Sequence, residues 1–464
     1  MVNETVVNKP KPTATIVVGG AWGDEGKGKI ASRAAQDADL VIRATGGANA
    51  GHTIVWNGKK IALHLVPGGI VNPQTICFIG QGVVVDLDVL YKEIIQLEDM
   101  GVPNVRERLK ISGRAHVVLP YHKDLDELYE KLKNTPVGTT KKGIGPAYED
   151  KDKRIGIRMY DILREYDELK MLVEQAIRVH SILLKSTSEK KGTFKESLLK
   201  ESIIIKLMSY MHDFETMIVD GDHLVEKFCA NGKKIVVEGA QAYRLDKDFG
   251  DYPDVTSSNC VTAGALIGGH LNHKDVKEVI VVLKAYFSRV GNGVFPTEQQ
   301  AHIENDEVYY YDPREGFIGD LIRDMGHEYG ATTGRPRRTG WFDAVLVRSS
   351  KRALGADYLC INHLDTLGKI GKHLGYVKMC YAYQYQGDII ERFPDDINIT
   401  GEVPTPLYRT IKGGWDVSSD VREFEELPEN AQEFIKMIER ETGIPVKYIG
   451  VGPDIDDLIV REDV

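Results

Sequence analysis

The sequence predicts an α/β protein: a large, mainly parallel central sheet flanked by helices, with a helical excursion and a small antiparallel subregion. Three observations point there. Short apolar runs of strand length recur at 14–18, 39–43, 61–66, 76–79, 110–118, 234–238, 278–284 and 357–361. Helix-period patterns fall between several of them, as at 86–99, 121–133 and 431–441, and such alternation makes parallel crossovers. A glycine-rich loop directly follows the first run, and in open sheets of this kind ligands sit in loops beyond the carboxyl ends of strands.

The remaining segments follow from composition. Residues 1–12 are polar and contain two prolines, which predicts a loose N-terminal tail unlike a signal peptide. Residues 13–464 contain no Ser/Pro-rich linker and read as a single domain. Within it, 157–229 is charged, periodic and poor in glycine, a helical excursion inserted into the α/β body. Residues 376–411, rich in Tyr, Val, Ile and Pro, read as short antiparallel strands.

Charge and cysteine usage exclude several function classes. A net charge of −10 argues against a nucleic-acid partner, and no apolar run approaches a membrane span. Five scattered cysteines give neither a disulfide framework nor a zinc site. Cys260 lacks an evident histidine partner and reads as a small packed residue. A cytoplasmic location follows.

The loop Gly19-Gly20-Ala21-Trp22-Gly23-Asp24-Glu25-Gly26-Lys27-Gly28-Lys29 carries the strongest chemical signal. Five glycines in eleven residues let the backbone aim N–H groups at an anion, and the helix that follows adds its positive end. Two lysines supply full charges for a polyphosphate. The common P-loop wants Ser or Thr after its Gly-Lys; here Gly28 follows Lys27. Asp24 is therefore the nearer metal candidate. An acidic pair among phosphates is unfavourable unless it binds a cation or accepts a proton.

Other constellations supply matching parts. Gly46-Gly47-Ala48-Asn49-Ala50-Gly51-His52-Thr53 is a second small-residue loop, and His52 exchanges protons near neutrality. Gly138–Pro146 offers hydroxyls, amines and flexible backbone for a phosphate. Glu238-Gly239-Ala240-Gln241 ends a strand with an amide suited to a base edge, and Thr256-Ser257-Ser258-Asn259 is hydroxyl-rich, as a ligand loop or a helix N-cap would be. Gly330–Arg338 joins a flexible stretch to arginines, whose forks bind carboxylates bidentately. Asn362-His363-Leu364-Asp365 follows a strand in the manner of the guanine-reading tetrapeptide of GTP-binding proteins.

From about residue 13 to 460 the chain resembles the adenylosuccinate synthetase family, GTP-dependent ligases that join aspartate to IMP. Trp-Gly-Asp-Glu-Gly-Lys-Gly-Lys, Asn-Ala-Gly-His-Thr, Gly-Ile-Gly-Pro-Ala-Tyr-Glu-Asp and Thr-Gly-Trp-x-Asp carry the likeness. The resemblance implies that Asp24 removes the N1 proton of IMP, that His52 is the acid partner at the 6-oxygen, and that Asp24 and the Gly51 carbonyl hold Mg²⁺. It implies GTP contacts at Gly23, Glu25, Gly26, Lys27, Gly28, Lys29, Gly51, Thr53, Arg337, His363, Leu364, Asp365 and Gly452. For IMP it implies Asp24, Lys27, Asn49, Ala50, Gly51, His52, Thr140, Gln241, Thr256 and Arg335, with Arg154 reaching the IMP of a neighbouring subunit in a homodimer. For L-aspartate it implies Ala331, Thr332, Thr333, Arg335 and Arg337. Two alternatives stand beside this reading: a paralogue acting on a related purine nucleotide such as dGMP, and a non-catalytic nucleotide-binding protein.

Several positions depart from the family pattern: Ala48, Lys141-Lys142, Ala242, Tyr243, Pro336 and His363, with a longer segment at 300–326. They bear on nucleotide affinity and the aspartate loop rather than on phosphoryl chemistry.

Overall fold

The computed structural model describes residues 11–56, 59–134, 138–187, 200–299, 318–330, 334–395, 397–462 and 464, with backbone alone for 52–56, 59–60, 182–187 and 398. The strands run β1 Ala14–Gly19, β2 Leu40–Gly46, β3 His52–Trp56, β4 Lys59–Leu63, β5 Ile76–Val85, β6 Leu109–Ser112, β7 His116–Val117, β8 Ile218–Val219 and β9 Ile235–Glu238. They continue as β10 Val276–Lys284, β11 Tyr286–Arg289, β12 Arg338–Asp343, β13 Tyr358–Asn362, β14 Tyr376–Tyr385, β15 Asp388–Ile390, β16 Thr405–Lys412, β17 Val446–Gly450 and β18 Leu458–Val460.

The central sheet has the order β18-β17-β13-β10-β1-β9-β2-β5-β6-β8, with β7 also paired to β5. Every pairing is parallel except β17 with β18. β1 and β2 are buried at every residue, which is why they read as unbroken apolar runs rather than alternating ones. Although β1 and β2 are joined by the helix Lys27–Ala35, β9 lies between them. Val17 and Arg43 are both register partners of Glu238. The loops leaving β1, β2 and β9, two hundred residues apart in sequence, therefore open side by side at one edge.

The expected helices appear as Leu87–Asp99, Pro120–Leu132 and Glu429–Thr442. Four expectations need correction. The run at 61–66 yields β4, which pairs only with β3 in a two-stranded hairpin outside the central sheet. The run at 110–118 is broken by a turn into β6 and β7. The excursion at 157–229 is not wholly helical, because Ile218–Val219 form β8, the edge strand beyond β6. Apolar pairs this short carry no period, so only the sheet edge that receives them makes them strands. The subregion around 376–411 is larger than expected: β14, β15 and β16 are antiparallel, but β12 joins β14 in parallel and β11 extends the sheet.

One hydrophobic cluster includes Ile16, Val18 and Val281 of the central sheet with Trp341, Phe342, Tyr383 and Trp415 around the smaller one. Cys260 is 2% exposed, and burial pushes its thiol up to about 12, as for a packed residue. Among the described residues no helix is long and apolar enough to cross a membrane.

Candidate active site

The carboxyl edge of β1, β9 and β2 opens into a cavity of about 1210 Å³. Its walls come from Gly23, Asp24, Gly26–Lys29, Asn49–Gly51, Gly138–Thr140, Gly145, Pro146, Glu238–Gln241, Pro253–Ser257 and Arg337. The segment Thr256–Asn259 is thus a cavity loop, and the next helix begins only at Thr262.

The glycine-rich loop is shaped by its own carboxylate. Glu25 accepts hydrogen bonds from the backbone N–H of Ala21 (3.3 Å) and Gly23 (2.8 Å), and from Lys27 Nζ at 2.6 Å. Its side chain is 3% exposed and turned inward, whereas that of Asp24 is 49% exposed at the cavity. The acidic pair thus divides its work. Of the pair, Asp24 alone turns its carboxylate to the cavity, and Glu25 is left with its backbone N–H for any ligand. Gly26 begins the helix Lys27–Ala35 at φ +82°, and a Cβ there would meet Asn362 Nδ2 at 2.8 Å. No side chain caps this helix, so its N-terminal N–H groups remain available to an anion.

Two further contacts bind distant strands to the loop. Asn362 Nδ2 donates to the Glu25 carbonyl at 2.8 Å, and Lys29 Nζ donates to the carbonyls of Gly452 and Asp457, both at 2.8 Å. The ends of β13 and β17 are thereby drawn against the glycine-rich loop. This brings Asp365, in the first turn of Leu364–Leu374, to the same side of the molecule. Leu364 itself is buried in the core and its carbonyl accepts from Trp415 Nε1 at 3.1 Å. Its side chain is therefore part of the core. His363 packs edge-on to Tyr286 with ring centroids 5.7 Å apart, and burial, helped by Lys284, lowers it to about 4. It is neutral near pH 7.

Nine non-glycine residues adopt positive φ among those described, and two of them, Asp24 (+59°) and Gln241 (+53°), line the cavity. Such conformations cost roughly 1–3 kcal/mol each and persist where the surroundings over-determine them. Gln241 Oε1 and Asn49 Oδ1 are buried with no hydrogen-bond partner in the protein, and both residues line the cavity. Buried amide oxygens left unpaired are costly, so a polar ligand is the natural partner for both.

The structure gathers Gly23, Asp24, Gly26, Lys27, Gly28, Lys29, Asn49, Ala50, Gly51, Thr140, Gln241, Thr256 and Arg337 at the cavity. It does not bring Arg154 or Arg335 into the cavity wall of their own chain; both are exposed. His52 and Thr53 open β3 directly after Gly51, and their side chains lie outside the described residues, as do Ala331, Thr332 and Thr333. Sequence reasoning missed Arg43, Glu238 as an ionisable group, and Glu328. Arg43 and Glu238 are cross-strand neighbours in the cavity floor. Burial, opposed by Arg43, raises the Glu238 carboxyl to about 7. A charged residue inside an otherwise apolar strand run was the available signal for both.

A sequence profile of the adenylosuccinate synthetase family matches residues 16–459. The chain belongs to the adenylosuccinate synthetase family. It is 44% identical over 447 residues to the adenylosuccinate synthetase of Acetivibrio thermocellus, covering 96% of this chain and 99% of that one. The enzyme of Geobacillus kaustophilus is 42% identical over 443 residues, 95% of this chain and 97% of its own. The fully ligated adenylosuccinate synthetase of Plasmodium falciparum superposes with a TM-score of 0.83 at 34% identity, over 97% of this chain and 99% of that one. A cyanophage S-2L succinoaminodeoxyadenylate synthetase, solved with dGMP and dATP, shares the fold at a TM-score of 0.58 and 19% identity, over 97% and 95% of the two chains. The chain is accordingly a ligase of purine nucleotide synthesis that joins aspartate to IMP and binds GTP. The dGMP paralogue and the non-catalytic reading are not favoured.

Proposed function

We propose that this adenylosuccinate synthetase activates IMP at O6 with the γ-phosphoryl group of GTP and then exchanges phosphate for the amine of L-aspartate. The observation that carries the residue assignment is the placement of Asp24: a half-exposed carboxylate, held at positive φ in a glycine-rich loop, lining the same cavity as the unpartnered amide oxygens of Asn49 and Gln241. Asp24 accepts the N1 proton of IMP, so O6 becomes nucleophilic and displaces GDP from the γ-phosphorus. His52, adjacent to Gly51, is the acid partner at O6. The amine of aspartate adds at C6, phosphate leaves, and the amine proton is lost. A 6-oxopurine has a poor leaving group, which is why phosphorylation precedes amine attack.

Among the described residues no three His, Cys, Asp or Glu come together as a metal cage. The donor set suits Mg²⁺ all the same, since that ion is commonly held by one or two protein oxygens with water and substrate phosphates completing its shell. Asp24 and the Gly51 carbonyl would hold it, and it would neutralise charge on the transferring phosphoryl group. Incubation with IMP, GTP, Mg²⁺ and aspartate should give the adenylosuccinate absorbance change. No product with any of the three substrates varied would overturn the assignment.

Arg335 lies beside the 331–333 segment, in a hairpin whose stems are joined by Gly330 N–H to the Arg335 carbonyl at 2.8 Å. If this hairpin grips the aspartate carboxylates, Arg335→Leu raises the KM for aspartate about ten- to a hundredfold, the loss of one charge-assisted contact, and leaves that for GTP nearly unchanged. Equal rises for both substrates would count against it.

Arg154, exposed and at positive φ at the end of Ile144–Lys153, suits an arginine that works in a neighbouring subunit. A homodimer is the assembly this reading requires. Inactive Asp24→Asn and Arg154→Leu proteins, mixed and allowed to exchange subunits, should recover about a quarter of wild-type activity, since half the dimers are mixed and each keeps one intact site. Failure to recover activity despite verified exchange places Arg154 in its own chain. A cytoplasmic location fits the five unpaired cysteines, four of them buried thiols.

A further inference from the structure

Glu328, just outside the cavity wall, pairs with two cations and a hydroxyl, and the chemistry above gives it no part. It is 1% exposed. One carboxylate oxygen accepts from Lys284 Nζ at 2.6 Å and the Tyr286 hydroxyl at 2.8 Å; the other accepts from Arg337 Nη1 at 2.7 Å. Arg337 turns its other terminal nitrogen, Nη2, to Asp24 Oδ2 at 2.9 Å. The backbone repeats the link, with Arg337 N–H donating to the Glu328 carbonyl at 2.9 Å and Tyr329 bridged to Pro336. Glu328 and Arg337 thus sit opposite each other on the paired stretches Glu328–Gly330 and Arg335–Arg337. Burial opposes the charge on Glu328, yet Lys284 and Arg337 hold its carboxyl down to about 2.

We propose that Glu328 is a positioning residue that couples the substrate-carboxylate hairpin to Asp24 through Arg337. The inference rests on the function proposed above. A guanidinium with one nitrogen on each carboxylate cannot shift toward Asp24 without leaving Glu328, so Glu328 fixes how strongly Arg337 occupies the oxygen that must serve IMP. The same bond fixes the spacing of the hairpin stems. Because Lys284 and Tyr286 anchor Glu328 to the end of β10 and the start of β11, the stem that carries Arg337 takes its position from those strands.

The test is the Glu328→Gln protein, whose amide cannot accept from Lys284 and Arg337 together. Its KM for aspartate should rise about tenfold or more, with the Kd for IMP, measured by calorimetry, within about threefold of wild type. A role confined to packing would lower the melting temperature and shift all substrates alike. The decisive arm is the Arg337→Gln background: if Glu328 acts through Arg337, adding Glu328→Gln there changes the aspartate KM by less than about twofold, because the two effects share one path. Should Glu328→Gln fail to fold, Tyr286→Phe removes one donor from the same carboxylate, and an increase of about threefold in the aspartate KM is expected. An unchanged aspartate KM in Glu328→Gln, or in Tyr286→Phe where it stands in, overturns the proposal, as does a full tenfold effect persisting without Arg337. Wild-type protein run in parallel separates the two levels: no turnover there removes the proposed function itself, whereas normal turnover with an indifferent Glu328 removes only this coupling.

Discussion

Asp24→Asn is expected to lower kcat by about 10²–10⁴-fold or more while IMP continues to bind. The amide preserves the size of the side chain and its place on the left-handed loop residue at φ +59°, a conformation asparagine tolerates as well as aspartate does. What it lacks is the lone pair and charge needed to accept the N1 proton. The unpartnered amides of Asn49 and Gln241, the proposed IMP contacts, are untouched by the change, so the Kd for IMP should move little. Asp24 is also the proposed ligand of Mg²⁺, and a neutral amide is a weaker one, which places the loss at or beyond the upper end of the range. Arg337 loses one of its two carboxylate partners at the same time. Single-turnover rates and IMP calorimetry on the same preparation decide the matter. A variant within threefold of wild type would remove Asp24 from the mechanism.

Nucleotide choice should be steep. Asp365 can accept two hydrogen bonds, from guanine N1–H and the 2-amino group, whereas adenine presents an acceptor at N1 and confronts the carboxylate. A site built for such donors rejects an analogue without them by about 10⁴–10⁵-fold. Its position suits the role: Asp365 stands in the first turn of Leu364–Leu374, and Asn362 and Lys29 draw the ends of β13 and β17 onto the glycine-rich loop. Among the described residues the Asp365 carboxylate pairs with Lys369 Nζ at 3.5 Å, a long contact that a base can displace. The neutral His363 offers no cation to a stacked base, so the KM for GTP should exceed that of relatives with lysine there. Steady-state kcat/KM with GTP and ATP, for wild type and Asp365→Asn, tests this. Comparable values for the two nucleotides in the wild type would dismiss guanine specificity and the role of Asp365 with it.

The parts of the site that announce themselves in sequence are those whose chemistry is local. A run of glycines and lysines after an apolar strand needs no partner to be recognised, because turn geometry and helix polarity operate over a few residues. The division of labour within Asp24-Glu25 was not legible. Two adjacent carboxylates are equivalent on paper; only the folded loop, with the Ala21 and Gly23 N–H groups and Lys27 converging on Glu25, turns one inward and leaves the other to a ligand. Nor was it legible that the core takes the Leu364 side chain, since a motif marks positions but not which side chains are buried.

By itself the sequence determined the α/β class, the family and the position of the glycine-rich loop after the first strand, all of which rest on short-range pattern and composition. The tertiary structure alone decided that β9 enters between β1 and β2, and so which loops share a cavity. It alone decided that Glu328, Arg337 and Asp24 form one chain of contacts across three hundred residues. The physical reason is range. Propensity and periodicity act along the backbone over a turn or two, whereas strand order and buried ion pairs are set by whichever distant surfaces exclude water together.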